Sequence, residues 1–298
     1  MRVAVLDLGT NTFHLLIVDI EDGRFFNIYQ ERIYSKLGQE GTDCIGKEPY
    51  KRGIEALSHF SQIIIDHKVE HIKALGTQAL RQASNGKAFR DDVFSKFNIS
   101  IEVIDGLAEA DYIYKGVCQA IPQQSESFLI MDIGGGSVEF IIADSHNVVY
   151  KDSFKIGLSP LHAIADISDV AAVDDVVALH KWLAGQLSRL YSAVQQYQPK
   201  FLVGSAGAFE VLVSLSDATL EESNYVDISI EKISELYVQI LGSTKTEKLS
   251  MHGLPKERVD YISAAFVLIW HIIDTVQPSK ILVSKFAMKE GALSTFLD

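Results

Sequence analysis

Cysteine is nearly absent from this chain: 298 residues contain only Cys44 and Cys118. Two cysteines make neither a disulfide framework nor a zinc site, and such sparing use suits a reducing compartment. Long apolar runs are missing too. The first strand-like run is interrupted by Asp7, too early for a signal peptide or a membrane span, and nothing elsewhere approaches about 18 uninterrupted apolar residues. A cytoplasmic protein without a membrane partner is therefore expected. Positive charge is the third shortage. Lys and Arg total 27 against 39 Asp and Glu, a net charge of −12, which argues against general affinity for nucleic acid or anionic membranes. A phosphorylated substrate stays open, because it needs only a local cluster of donors. Arg32, Lys36, Arg81, Lys87 and Arg90 are available for that, although solvated surface is the ordinary place for such residues.

What remains is an ordinary globular composition, 47% hydrophobic and 22% charged, in a chain long enough for about two domains and a large core. Its most informative pattern occurs twice. Val5-Leu6-Asp7-Leu8-Gly9-Thr10-Asn11-Thr12 is followed by an apolar run and Asp19. Ile130-Met131-Asp132-Ile133-Gly134-Gly135-Gly136-Ser137 is followed by another apolar run and Asp144. The offset stays at 125 residues (Asp7 to Asp132, Thr12 to Ser137, Asp19 to Asp144), so a strand-turn-strand unit is repeated as a whole. Turns of Gly, Thr, Ser and Asn leave successive backbone N–H groups open to an anion. Two facing turns would clamp phosphate, and the two aspartates could hold a metal ion or water.

Each half opens with strands and continues with helices. Apolar alternation predicts strands at 2–7, 13–19 and 24–37, then a helix from Pro49 to Asp66 with Pro49 at its first position. A strand at 71–76, helical stretches at 77–83 and 87–97, a strand at 101–104 and a helix over 107–120 follow. Pro122 and the polar Gln123-Gln124-Ser125-Glu126 mark a boundary, giving domains 1–122 and 123–298. The second half predicts strands at 127–132, 137–143 and 147–154, helices at 157–166 and 169–198, and a strand at 201–204. Further helices to about 277, a short strand at 280–283 and a last helix near 288–296 complete it. Two similar α/β halves with a cleft between them is the economical architecture.

Three stretches together resemble the exopolyphosphatase / guanosine pentaphosphate phosphohydrolase (Ppx/GppA) family. The first is Asp7-Leu8-Gly9-Thr10-Asn11-Thr12-Phe13-His14. The second runs from Gly76-Thr77-Gln78-Ala79-Leu80-Arg81 to Ile104-Asp105-Gly106-Leu107-Ala108-Glu109-Ala110. The third is Asp132-Ile133-Gly134-Gly135-Gly136-Ser137-Val138-Glu139. The resemblance covers nearly the whole chain in order. It implies a duplicated actin-like, ribonuclease H-like fold of the sugar-kinase and actin ATPase superfamily, with the last helix a candidate to pack back on the first domain. Many relatives carry a further helical domain, and this chain resembles the short two-domain form.

The resemblance also implies an activity: hydrolysis of the terminal phosphate of inorganic polyphosphate, or of pppGpp, with magnesium. Glu109 matches the family's catalytic glutamate, a general base for the attacking water, where the bland alternative is a carboxylate favoured by a helix N-terminus. Arg81 matches an arginine whose planar fork suits phosphate. Asp132 and Glu139 match acidic positions that hold the metal directly or through water, and Asp7 is a candidate for the same role. Gly9, Thr10, Asn11, Thr12, Gly134, Gly135, Gly136 and Ser137 would supply N–H and hydroxyl donors to phosphate oxygens. Dimerisation of some relatives makes a homodimer a candidate assembly.

There are departures. Ala108 stands where relatives have the first of two glutamates. Gly204-Ser205-Ala206-Gly207-Ala208 carries fewer hydroxyls than the usual Ser-Gly-Thr turn. Ser284-Lys285-Phe286-Ala287 and Lys289-Glu290-Gly291 replace a Ser-Asp-Gly and an Arg-Glu-Gly, whereas Arg258 and Asp260 keep an Arg-x-Asp. Two other patterns fail on context. His67-Lys68-Val69-Glu70-His71 fits an inverted zinc-protease motif but lies where a helix gives way to a strand. The glycines at 134–136 lead into a strand, with Glu139 in place of a third spaced glycine, so they are no dinucleotide fingerprint. Two rivals remain: an ATP-dependent kinase or ATPase of the same superfamily, and a non-catalytic sensor of polyphosphate or pppGpp.

Overall fold

A computed structural model describes every residue except 42, 145, 217, 220–222 and 298. The chain divides into two compact units, Met1–Gly116 with Met288–Asp298, and Val117–Ala287. The first contains β1 (Arg2–Leu8), β2 (Phe13–Glu21), β3 (Arg24–Ile33), α1 (Lys47–Asp66), β4 (His71–Gly76), α2 (Gln78–Gln82), α3 (Gly86–Phe97), β5 (Ile101–Val103) and the start of α4 (Gly106–Ala120). Its sheet has the order β3-β2-β1-β4-β5. β1 pairs antiparallel with β2 and parallel with β4, which pairs parallel with β5.

The second unit contains β6 (Phe128–Ile133), β7 (Val138–Ala143), β8 (Val148–Phe154), α5 (Leu158–Ile164), α6 (Val173–Gln186), α7 (Ser188–Tyr197), β9 (Phe201–Ser205), α8 (Ala206–Leu215), β10 (Tyr225–Asp227), α9 (Ile230–Gly242), α10 (Lys245–Ser250), α11 (Val259–Val276) and β11 (Ile281–Ser284). Its sheet order, read from the other edge, is β8-β7-β6-β9-β11-β10. Three antiparallel strands followed by two parallel ones therefore occur twice, and the ribonuclease H-like unit is duplicated. β10 adds an antiparallel edge to β11 that the sequence patterning did not show.

β6 and β7 are buried at every residue, and alternation decides which side chains enter a given core. Ala4, Leu6 and Leu8 enter one core with Leu57, Phe60, Phe89 and Val93. Leu129, Met131 and Ile133 enter another with Leu183, Leu212, Phe266 and Ile269. That second core surrounds α11, which together with the 3-10 turn before it (Lys256–Val276) is the one helix among the described residues long and apolar enough to cross a membrane. Ile262, Phe266, Ile269 and Ile273 on it are all buried, the environment of a core helix.

Three expectations need adjustment. Helix α1 begins at Lys47, so Pro49 is its third residue, still in the first turn where a missing N–H costs nothing. The helix expected over 169–198 is two: Asp169 Oδ1 instead accepts from the Val170 and Lys245 amides, the Ala171 amide donates to Leu241 O, and a bend at Leu187 separates α6 from α7. The unit boundary falls inside the continuous helix α4 rather than after Pro122. α12 (Met288–Leu293) groups with the first unit. A Cβ on Gly291 would overlap the Tyr112 carbonyl of α4, so only glycine allows that approach. Lys73 Nζ donates to Thr295 Oγ1 at 3.1 Å just beyond.

Candidate active site

In each unit the chemistry-bearing residues gather at the carboxyl ends of the parallel strands, the usual ligand-binding edge of an open α/β sheet. The turn after β1 is closed by the Gly9 amide donating to Thr12 O at 3.0 Å, and the turn after β6 by the Gly134 amide donating to Ser137 O at 2.9 Å. The duplication reaches further than the sequence revealed. Beyond β3, the Lys36 and Gly38 amides donate to the carbonyls of Asn11 and Thr10; beyond β8, the Gly157 and Ser159 amides donate to those of Gly136 and Gly135. These donors are offset by 121 residues (Lys36 to Gly157, Gly38 to Ser159). Both turns thus have their carbonyls tied back. Among the described residues, the amides of Thr10, Asn11, Thr12, Gly135, Gly136 and Ser137 enter no turn, helix or ladder hydrogen bond. A row of uncommitted amides is what an anion needs. Gly157 is required by this crossing: a Cβ there would lie 2.5 Å from Gly136 C.

Arg81 and Glu109 come together at the ends of β4 and β5. Asp105 Oδ1 caps α4 by accepting from the amides of Leu107 and Ala108 at 3.0 and 2.8 Å. Glu109 lies in the first turn of that helix. Arg81 Nη1 donates to Ile104 O and lies 4.0 Å from Glu109 Oε2. Their side chains are 29% and 13% exposed, so the pair is sheltered but open enough to meet water.

Asp132 and Glu139 sit directly opposite on β6 and β7. They are 8% and 1% exposed. Ser205 Oγ donates to Asp132 Oδ2 at 2.6 Å, and Ser153 Oγ donates to Glu139 Oε1 at 2.7 Å. The turn at 204–208 has therefore kept the hydroxyl that holds Asp132. Asp7 occupies the equivalent place in the first unit, but His14 is opposite it there, with Arg32 next in line. His14 Nε2 lies 3.2 Å from Thr12 Oγ1. Ser153 escaped the sequence patterns, and Ser205, His14 and Arg32 entered them without these partners, because strand register, a nonlocal property, aligns them.

No group of three or more His, Cys, Asp or Glu side chains stands together as a metal centre among the described residues. Magnesium does not demand one: it commonly takes one or two carboxylates, with water and substrate phosphates completing its shell. Two neighbouring buried carboxylates, each oriented by a hydroxyl, are hard oxygen donors that fit it. His67 closes α1 with Nδ1 2.9 Å from Ile63 O, whereas His71 opens β4, so the zinc-protease spacing shares no helix. Cys44 and Cys118 form no disulfide.

A duplicated ribonuclease H-like fold with two tied-back turns of small residues defines an actin-like α/β protein. Comparison with known proteins narrows this. The chain matches the Ppx/GppA phosphatase family over residues 16–298. It is similar to a putative exopolyphosphatase of Haemophilus influenzae, 24% identical over 98% of this chain and 90% of that one. It is also similar to a guanosine-5'-triphosphate,3'-diphosphate pyrophosphatase of Vibrio vulnificus, 27% identical over 97% of this chain. This chain spans only 58% of that relative's length. Among solved structures, an exopolyphosphatase from Cytophaga hutchinsonii superposes with a TM-score of 0.97 at 36% identity, covering 100% of this chain and 98% of that one. The Aquifex aeolicus Ppx/GppA protein, at 23% identity and a TM-score of 0.83 over 99% of both chains, shares the fold. The chain belongs to the Ppx/GppA phosphatase family.

Proposed function

We propose that this phosphatase is an exopolyphosphatase, releasing the terminal phosphate of inorganic polyphosphate by attack of water. The observation that carries the reading is the Arg81–Glu109 pair, with the carboxylate at the capped start of α4 and the guanidinium 4.0 Å away. Glu109 takes a proton from the attacking water as its oxygen bonds to phosphorus. The anhydride P–O bond breaks, and the electron pair leaves on the shortened chain. Arg81 holds the transferring phosphate and offsets its developing charge. Each turn, at 9–12 in the first unit and at 134–137 in the second, offers amides suited to phosphate oxygens. Asp132 and Glu139 would hold Mg2+, and the ion would neutralise charge on the phosphate oxygens.

Polyphosphate is favoured over pppGpp because phosphate donors are what the described turns offer, and no guanine pocket is evident among these residues. The solved relative at 36% identity is named an exopolyphosphatase. Relatives named as guanosine-phosphate pyrophosphatases make pppGpp hydrolysis the second reading. A sensor that binds without cutting has no need of the paired Arg81 and Glu109. The deciding assay compares phosphate release from polyphosphate, pppGpp and ATP with Mg2+ present. The expected order places polyphosphate first, with release abolished by EDTA and restored by Mg2+. Faster release from pppGpp would replace the reading with the second, and robust ATP turnover with inert polyphosphate would overturn both.

A further inference from the structure

Strand register in the second unit lines up four polar side chains. Ser205 on β9 is opposite Asp132 on β6, Asp132 opposite Glu139 on β7, and Glu139 opposite Ser153 on β8. Residues directly opposite on paired strands share a sheet face. The result is a hydroxyl, two carboxylates and a hydroxyl in sequence, with both outer hydroxyls donating inward, at 2.6 and 2.7 Å. Two buried like charges side by side are unfavourable unless a cation or a proton offsets them.

The first unit carries the same row with different chemistry: Leu75, Asp7, His14 and Arg32. There the aspartate faces an imidazole, and neither flank is a hydroxyl. Serines stand only in the row where two acids stand together. Octahedral magnesium tolerates little error in ligand placement, and outer partners that fix a ligating carboxylate change metal affinity by about 10–100-fold.

We propose that Ser153 and Ser205 are positioning residues that set the Glu139 and Asp132 carboxylates for a divalent cation. This rests on the magnesium reading above. Each serine fixes the rotation of one carboxylate, so that the pair meets the ion preorganised.

The test uses Mn2+ as a paramagnetic substitute, titrated into the whole protein and followed by electron paramagnetic resonance, with metal-free melting measured alongside. Ser153→Ala and Ser205→Ala are each expected to weaken Mn2+ binding by about 10–100-fold, with metal-free melting nearly unchanged. Ser153→Thr, which keeps a hydroxyl and suits a strand, should bind like wild type. Glu139→Gln should lose the site. If both alanine variants bind as tightly as wild type while Glu139→Gln does not, the positioning role is wrong and the metal reading stands. If Glu139→Gln binds normally, or wild type shows no saturable site, the metal reading itself falls. Should the buried Ser205→Ala fail to fold, the Ser153 pair of variants decides alone.

Discussion

Ala206 has φ +65°, a left-handed backbone conformation that costs an L-residue roughly 1–2 kcal/mol. It follows Ser205, whose hydroxyl holds Asp132, and it opens α8. The strain therefore sits next to a residue assigned to the site. Ala206→Gly is expected to raise stability by about 1 kcal/mol, the strain relief less the greater freedom of glycine in the unfolded chain. Denaturant melts of the two proteins measure it, and a destabilised variant would show that the Ala206 methyl contributes packing worth more than the strain. Lys248 is a second residue with a role no pattern reveals. Fully buried on α10, its Nζ donates to Ser168 O, Asp169 O and Ser263 Oγ, and burial lowers its pKa.

Helices α6, α7 and α11 are joined by a polar contact of their own. His271 Nδ1 lies 2.9 Å from His180 Nδ1, and its Nε2 lies 2.7 Å from the Tyr191 hydroxyl. Burial, with His180 adding to it, pushes the His271 pKa down to about 4, and burial lowers that of His180 against the pull of Asp274. A histidine whose folded pKa lies below its unfolded value of about 6.5 stabilises the fold above that value. The contribution is lost as pH falls from about 6.5 toward about 4. Melting temperature should therefore drop on acidification through that window, and His271→Gln should flatten the drop. An identical pH slope in the variant would place the acid sensitivity elsewhere. Element boundaries show where local pattern ends: the bend at Leu187 interrupts one continuous apolar periodicity, and only tertiary bonds such as that of the Ala171 amide to Leu241 O explain why α6 starts at Val173.

Over the whole molecule, the duplication was legible and its consequences were partly so. The 125-residue offset and the small residues at 9–12 and 134–137 located both turns, because strand ends and turn residues are local signals. Arg81 and Glu109 were found through motifs, and the fold places them side by side. The hydroxyl–carboxylate row was not legible, since Ser153 and Ser205 meet their acids only through pairing of distant strands. Nor did the sequence reveal that the donors beyond β3 and β8 tie back the turn carbonyls, since those loops share no residue pattern. Activation of the attacking water by Glu109 is tested most directly by Glu109→Gln, assayed for both hydrolysis and binding of polyphosphate. Hydrolysis should fall by about 10²–10⁴-fold, the ordinary contribution of a general base, with binding close to that of wild type. Equal turnover by the variant and the wild type would contradict that role.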